Sequence, residues 1–223
     1  MEKNFRHEYK YLISRSTAEL LKQRLKGFME YDRHAGPNGY TIRSLYFDDL
    51  AANAFYDKVS GVDNRTKYRI RCYNYEYGIL KLEKKEKKGH LTRKTAQTLS
   101  LSQVQAIQEN PRIFEGDGLL EELRLFCCGK GGRPMVLVDY DRTPFVCHSG
   151  NTRITLDENL RTRPYCSDLF SDSQGMIPVL EPGDVILEVK FDDFLPGYLS
   201  EILSDIPKIP MAISKFAMCL NLF

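Results

Sequence analysis

The sequence predicts an α+β fold: an antiparallel sheet closed into a β-barrel, with helices packed around its outside. Three observations carry that expectation. Charged and apolar residues alternate with period two in at least five separate segments, as strands with unlike faces require. The charges on those faces are mostly Arg and Lys, and they recur on segments far apart in the chain. Segments with apolar stripes at helical spacing lie between the strands, suited to cover their apolar side.

Residues 5–13 (FRHEYKYLI) open the chain as a strand, with Arg6, Glu8 and Lys10 on one face and Phe5, His7, Tyr9 and Tyr11 on the other. Ser16 is placed to cap a helix whose Leu20, Leu21, Leu25 and Phe28 form an apolar stripe. A loop with Gly36, Pro37 and Gly39 leads to a second strand, TIRSLYFD, and residues 50–59 read as a short helix. RTKYRIRCYNYE is the most informative segment: Arg65, Lys67, Arg69 and Arg71 share one face, Tyr68, Ile70 and Cys72 the other. A turn expected around Tyr77–Gly78 returns the chain as ILKLEKKEKKG, a hairpin partner carrying Lys81, Glu83, Lys85 and Lys87 on one face. Helices follow at 102–109 and 118–127, then strands PMVLVDYDRTPFV, with Tyr140 and Arg142 together, and NTRITLDEN, with Arg153, Thr155 and Asp157 together. Residues 160–182 read as loop, and VILEVKF as a strand with Glu188 and Lys190 on one side. Helical stretches at 197–204 and 211–222 close the chain. No repeat or linker divides it, so residues 1–223 are expected to form one domain.

Composition narrows the function classes. No run approaches the roughly 20 apolar residues that cross a bilayer, and the N-terminus lacks an apolar signal region, so a soluble cytoplasmic protein is expected. The six cysteines show no CxxC spacing and read as reduced thiols, and the four histidines (His7, His34, His90, His148) are scattered and form no metal motif. The net charge of +2 conceals a strongly patterned distribution. Four like charges in register along a strand repel one another, and an anion lying across them removes that cost. Solvated surface is the alternative reading for any single strand. Closing the sheet gathers the cationic rows into one lumen, which cannot be a hydrophobic core. A polyphosphate chain suits such a channel, because the planar fork of Arg holds two phosphate oxygens and Lys adds point charges. The few carboxylates in these rows, Glu8, Glu83 and Glu188, are then candidate ligands for Mn²⁺ or Mg²⁺, with Glu188 preferred and Glu8 second; an ion pair with a neighbouring Lys or Arg is an equal alternative for Glu8 and Glu83 and the lesser one for Glu188. A closed lumen excludes duplex, and the aromatics of these strands are expected mostly to face away from the basic rows, which argues against a nucleic-acid partner.

The segments HEYKY, RSLYFDD, KYRIRCYN, LEKKEK, DYDRTPF, RITLDENLR, LEVKF and ISKFAMCL, in this order, resemble the VTC polyphosphate polymerase domain of the triphosphate tunnel metalloenzyme (CYTH-like) superfamily. The resemblance runs from about residue 5 to the C-terminus. It implies an eight-stranded antiparallel tunnel, and by position it implies phosphate-binding roles for Lys10, Arg69, Arg71, Lys85, Tyr140, Arg142, Arg153, Lys190, Ser214 and Lys215, with Mn²⁺ or Mg²⁺ at Glu188. Arg65 and Lys67 join that set from the strand pattern alone, and Lys94 or Arg93 matches a further lysine loosely. Two departures stand out. Arg6 occupies the first Glu position of the ExExK opening of the superfamily's triphosphatases, which favours one metal and more positive charge. The chain also carries neither the SPX domain nor the membrane segments of the eukaryotic polymerase subunits, so their regulation and translocation are not expected of it.

The implied activity is transfer of the ATP γ-phosphoryl group to a polyphosphate end, with Arg69, Arg71, Lys85, Arg142 and Arg153 as the catalytic set. The acceptor is already an anion, so no general base is needed. A tripolyphosphatase or nucleoside triphosphatase, and a non-catalytic polyphosphate-binding module, remain open alternatives. The sequence shows no obvious oligomerisation surface.

Overall fold

The structure, a computed structural model, describes residues 6–33, 35–36, 38–89 and 91–222. The N-terminal half comprises strands β1 (His7–Ser14), β2 (Glu30–Tyr31), β3 (Tyr40–Asp48), β4 (Arg65–Tyr73), β5 (Glu76–Lys88) and β6 (Leu91–Leu99), with helices α1 (Arg15–Leu25) and α2 (Asn53–Val59) among them. Helices α3 (Leu101–Glu109) and α4 (Gly118–Lys130) follow, then β7 (Arg133–Cys147), β8 (Thr152–Pro164), β9 (Ile177–Pro178), β10 (Asp184–Phe191), α5 (Gly197–Ile202) and α6 (Lys215–Leu220). Hydrogen-bonded neighbours run β1-β10-β8-β7-β3-β4-β5-β6, with β2 on β7 and β9 on β8. Among the described residues no ladder pairs β1 with β6, so the hydrogen-bonded sheet is open at those two edges. The sheet-dominated α+β architecture is the one the alternation predicts.

Contacts group the chain into two compact units. The first is Met1–Thr41, Tyr140–Leu160 and Leu180–Ile213; the second is Ile42–Asp139, Arg161–Val179 and Ser214–Phe223.

In the first unit, β1 and β8 flank β10 in antiparallel register, Lys10 opposite Glu188 and Glu188 opposite Thr155. One face of these strands supplies Ile13, Ile154, Leu156, Val185, Leu187 and Val189 to a core completed by Ala18, Leu21 and Leu25 of α1 and Leu199 of α5. Each fully buried Leu here contributes about 2 kcal/mol. The stripe of α1 is thus Ala18–Leu21–Leu25, while Leu20 and Phe28 are exposed. Its cap is Ser14 and not Ser16. Ser14 ends β1 in extended conformation, so its hydroxyl already accepts from the orphan Thr17 N–H at 3.2 Å.

The second unit is built on β3, β4, β5 and β6, antiparallel throughout. Leu45, Phe47, Tyr68, Ile70, Cys72, Leu80 and Leu82 face α3 and α4, which contribute Val104, Ile107, Leu119, Leu120, Leu123 and Cys127. A capping box between Ser100 and Gln103 starts α3, and Gly131, in left-handed conformation at φ 65°, ends α4.

The β4–β5 turn falls at Asn74–Tyr75, three residues earlier than the sequence predicts, with positive φ at both (50° and 57°). That is the geometry of a two-residue hairpin turn twisted to match its strands. Asn tolerates it; Tyr75 is held there by its side chain. The Tyr75 ring lies 4.7 Å from the Arg43 guanidinium, and its hydroxyl donates to Asp139 at 3.2 Å and accepts from Arg161 at 2.9 Å. Arg43 and Asp139 are both fully buried and paired through both carboxylate oxygens. The Arg43 fork also reaches the Leu169 and Ser171 carbonyls and the Ser173 hydroxyl, pinning that loop.

Other differences from the sequence reading concern ends. β8 runs on to Pro164, where the sequence reads loop from 160; Thr162 donates to the Leu137 carbonyl within the core. The last helix shrinks to Lys215–Leu220. β6, which the sequence did not reveal, pairs with β5 from Leu80 to Lys88.

Candidate functional site

Strand alternation that buries one face of each unit turns the other toward its charged residues. In the first unit that face carries Glu8, Lys10, Glu188, Lys190, Arg153, Thr155 and Asp157, all fixed by the β1·β10·β8 register. Arg142, on β7, donates from Nε and Nη2 to both oxygens of Asp157 at 2.7 Å, and Nη2 lies 3.8 Å from Glu188. Its guanidinium stands 5.3 Å from the Tyr140 ring centre. Burial works against the Arg142 charge, yet Asp157 above all holds its pKa well above the ordinary value. Lys10 behaves alike: burial opposes its charge, and Glu188, Glu8 and Asp157 together raise its pKa. Its Nζ lies 3.1 Å from Glu8 and donates to the Ile213 carbonyl at 3.3 Å. Lys190 pairs with Glu188 and lies 3.7 Å from Glu8. Arg153 donates to the Tyr40 hydroxyl at 3.3 Å and pairs with Asp32 at 3.0 Å.

The second unit's charged face comes from β3, β4, β5 and β6 in cross-strand rows. Tyr46, Arg69 and Glu83 stand opposite one another in turn; so do Ser44, Arg71 and Lys81. Lys67, Lys85 and Lys94 fill one row, and Arg65 stands opposite Lys87. Arg69 grips Glu83 through Nε at 2.7 Å and donates to the Tyr46 hydroxyl at 2.8 Å. Lys94 reaches the other Glu83 oxygen at 2.5 Å, and Arg71 lies 3.8 Å away. Glu83 is buried, which alone raises its pKa, but Arg69, Arg71 and Lys94 hold it far below the usual carboxylate range. Arg71, also buried, donates to the Ser44 hydroxyl at 3.3 Å. Arg65 sits at the start of β4, donating to the Val62 carbonyl at 2.9 Å.

Lys67 is perturbed in the opposite direction to Arg142 and Lys10. Burial, then the like charges of Arg65, Lys58 and Lys85, push its pKa down to about 7 against the opposing pull of Asp48. Its Nζ lies 4.6 Å from the Phe216 ring centre and donates to the Ser214 hydroxyl at 3.3 Å. Ser214 caps α6, whose first residue is Lys215, so the Ser-Lys pair stands at the Lys67 row.

The sequence-derived residues thus fall into two sets. Lys10, Glu8, Tyr140, Arg142, Arg153, Glu188 and Lys190 share the first unit; Arg65, Lys67, Arg69, Arg71, Lys85, Ser214 and Lys215 share the second. The register separates Lys94, which stands in the lysine row, from Arg93, which turns to Glu86. One expectation changes: Asp157 is a fourth carboxylate on these faces, and its alternation with Arg153 in RITLD was the signal for it. The strand aromatics mostly face away, with Tyr11, Phe47, Tyr68, Phe145 and Phe191 on the apolar side, but Tyr46, Tyr73 and Tyr140 lie beside cations of the basic faces. Tyr73 follows Arg69 and Arg71 at the same parity, and Tyr46 stands opposite Arg69, so both had to share their face. His7 stacks on Phe191, on the face opposite Glu8 and Lys10, while His34 and His90 lie outside the described residues.

Among the described residues no three His, Cys, Asp or Glu side chains gather to hold a metal. The Lys190 ammonium contacts both Glu8 and Glu188, so the two carboxylates already share one cation. That pair of hard oxygen donors fits Mn²⁺ or Mg²⁺ completed by phosphate oxygens and water, with Lys190 turned aside.

Comparison with known proteins defines the class first. A Bacillus halodurans protein described as a "putative adenylate cyclase" shares 18% identity over 95% of each chain with a TM-score of 0.57. That likeness shows a shared fold. A conserved hypothetical protein of Pyrococcus furiosus also matches, at 12% identity over 90% of this chain and 86% of its own, with a TM-score of 0.43. No curated protein matches the chain. The VTC domain model matches residues 5–223, and the chain belongs to the VTC domain family. No helix among the described residues is long and apolar enough to cross a membrane.

Proposed function

We propose that this chain is a polyphosphate-synthesising phosphotransferase that moves the γ-phosphoryl group of ATP onto the end of a polyphosphate chain, with residues 1–223 acting as one domain. The observation that carries this reading is the cationic strand face of each unit, above all the row Lys67–Lys85–Lys94, where like charges stand directly opposite one another. Such a row is costly alone and favourable beneath a polyanion. Membership of the VTC family supports the same substrate class.

In this reading Arg142 and Arg153 clamp phosphates on the face of the first unit, where Lys10 and Lys190 add charge and Tyr140 a neutral contact. Arg69 and Arg71 do so on the face of the second, with Arg65, Lys67, Lys85 and Lys215 adding charge and Ser214 a neutral contact. A terminal polyphosphate oxygen, already anionic, forms its bond to Pγ as the bond from Pγ to the bridging oxygen of ADP breaks. No proton need be removed, so positioning and neutralisation of charge are the whole task of these side chains. Glu188 and Glu8 would hold Mn²⁺ or Mg²⁺, which when bound offsets negative charge on the phosphate oxygens. A cytoplasmic setting, with ATP at hand and the six unpaired cysteines kept reduced, fits this chemistry.

Purified protein incubated with ATP and Mn²⁺ tests the reading when chain growth and free phosphate are followed separately. Lengthening polyphosphate is the expected result. Free phosphate without chains would make the protein a hydrolase, and neither product with retained tripolyphosphate binding would make it a binding module. Glu188→Ala is expected to lower turnover by on the order of 100-fold or more while sparing tripolyphosphate binding; normal turnover would remove Glu188 from the metal site.

A further inference from the structure

Two polar atoms on the charged face of the first unit are buried without a hydrogen-bond partner: Arg153 Nε and Thr155 Oγ1. Both lie on β8, two residues apart, so their side chains leave the strand on the same side. Thr155 is 4% exposed, so bulk solvent does not reach its hydroxyl. The surrounding groups are committed elsewhere. Arg153 is anchored through Nη2 by Asp32 and Tyr40, which holds the guanidinium in place while Nε itself makes no hydrogen bond. Asp157, two residues further along, is taken up by the Arg142 fork. Register places Thr155 opposite Glu188, itself opposite Lys10, and Arg153 opposite Lys190. The third unpartnered atom, the Tyr31 hydroxyl, belongs to a ring packed against the apolar core and Phe145, and has no part in this row.

Native structures rarely leave a buried donor unsatisfied; a bound water or an ion supplies the missing acceptor, and a surrounding of cations favours an anion with several acceptor oxygens. We propose that the Thr155 hydroxyl and the Arg153 Nε–H form a two-donor subsite for one phosphoryl group of a bound triphosphate or polyphosphate. This rests on the phosphate-binding reading of the same face. Thr155 adds a donor without adding charge, so it contributes orientation where Lys10, Arg153 and Lys190 contribute attraction. The subsite selects tetrahedral oxyanions whose oxygens can accept from both donors at once.

Thr155→Val replaces the hydroxyl with a methyl of the same shape. Removing an unsatisfied buried hydroxyl leaves the ligand-free melting temperature unchanged or raises it, while tripolyphosphate affinity, measured by titration calorimetry, falls about 10-fold. Thr155→Ser restores the affinity. If Thr155→Val does not yield folded protein, Arg153→Lys, which keeps the charge and removes Nε, is expected to weaken tripolyphosphate by a similar factor. Tripolyphosphate binding as tight as wild type in Thr155→Val, or in Arg153→Lys where that variant stands in, overturns the subsite and leaves the broader reading intact. Wild-type protein that fails to bind tripolyphosphate at all overturns both.

Discussion

Lys67 shows how much of the chemistry resides in single residues. Its ammonium is buried among Arg65, Lys58 and Lys85, and its pKa lies near 7 where a free lysine has 10.5. Between those two values the unfolded chain holds a proton that the folded chain has released. Stability from this group therefore rises as pH climbs through that window and is lost as pH falls toward 7. A polyanion reverses the preference by favouring the ammonium. Tripolyphosphate binding at about pH 8 is thus expected to take up close to one proton, read as a binding enthalpy that varies with the ionisation enthalpy of the buffer. Lys67→Met should flatten that dependence, and a flat response in the wild type would contradict the assignment. The placing of Lys67 beside Arg65, Arg69 and Arg71 was legible in the alternation of RTKYRIR. Its depressed pKa was not, because Ser214 and Phe216 come to it from almost 150 residues away.

At the scale of elements, the Arg43–Asp139 pair ties β3 to the middle of β7 and to the loop around Ser171, and it holds the strained Tyr75 turn. Breaking a fully buried pair leaves one charge without compensation, so Asp139→Ala should cost about 3–5 kcal/mol in denaturant unfolding. Replacing both partners, Arg43→Met with Asp139→Leu, should cost much less than Asp139→Ala alone; equal costs would mean the pair is not the source of the stability. Neither residue announced itself, since Arg43 follows the parity of Leu45 and Phe47 and its charge is hidden among apolar neighbours. β6 was missed for the opposite reason. Almost all of LTRKTAQTL is exposed, so it has no buried face to impose an apolar period, and it joins β5 through its backbone ladder and the Lys94–Glu83 and Arg93–Glu86 pairs. By contrast β4, β8 and β10 each bury one face completely enough that every second residue had to be apolar, and those strands were readable. The β4–β5 turn was displaced because Gly78 is the usual signal, whereas here Asn74 and a tethered Tyr75 supply the positive φ.

Across the whole molecule, a net charge of +2 gives no hint of an anionic partner. The arrangement does, since each unit spends its apolar residues on a helix-covered core and is left with a strand face rich in Arg and Lys. The sequence pattern could reveal that segregation because it is a property of single strands. It could not reveal which carboxylates those cations had already engaged, because Arg142 with Asp157 and Arg69 with Glu83 are pairings between strands. The central claim is that these faces exist to hold a chain of phosphates. The structure of crystals soaked with tripolyphosphate tests it most directly. Phosphates are expected against Arg142 and Arg153 in the first unit and against Arg69 and Arg71 in the second. Tripolyphosphate bound only on other surfaces, with all four arginines untouched, would contradict the account.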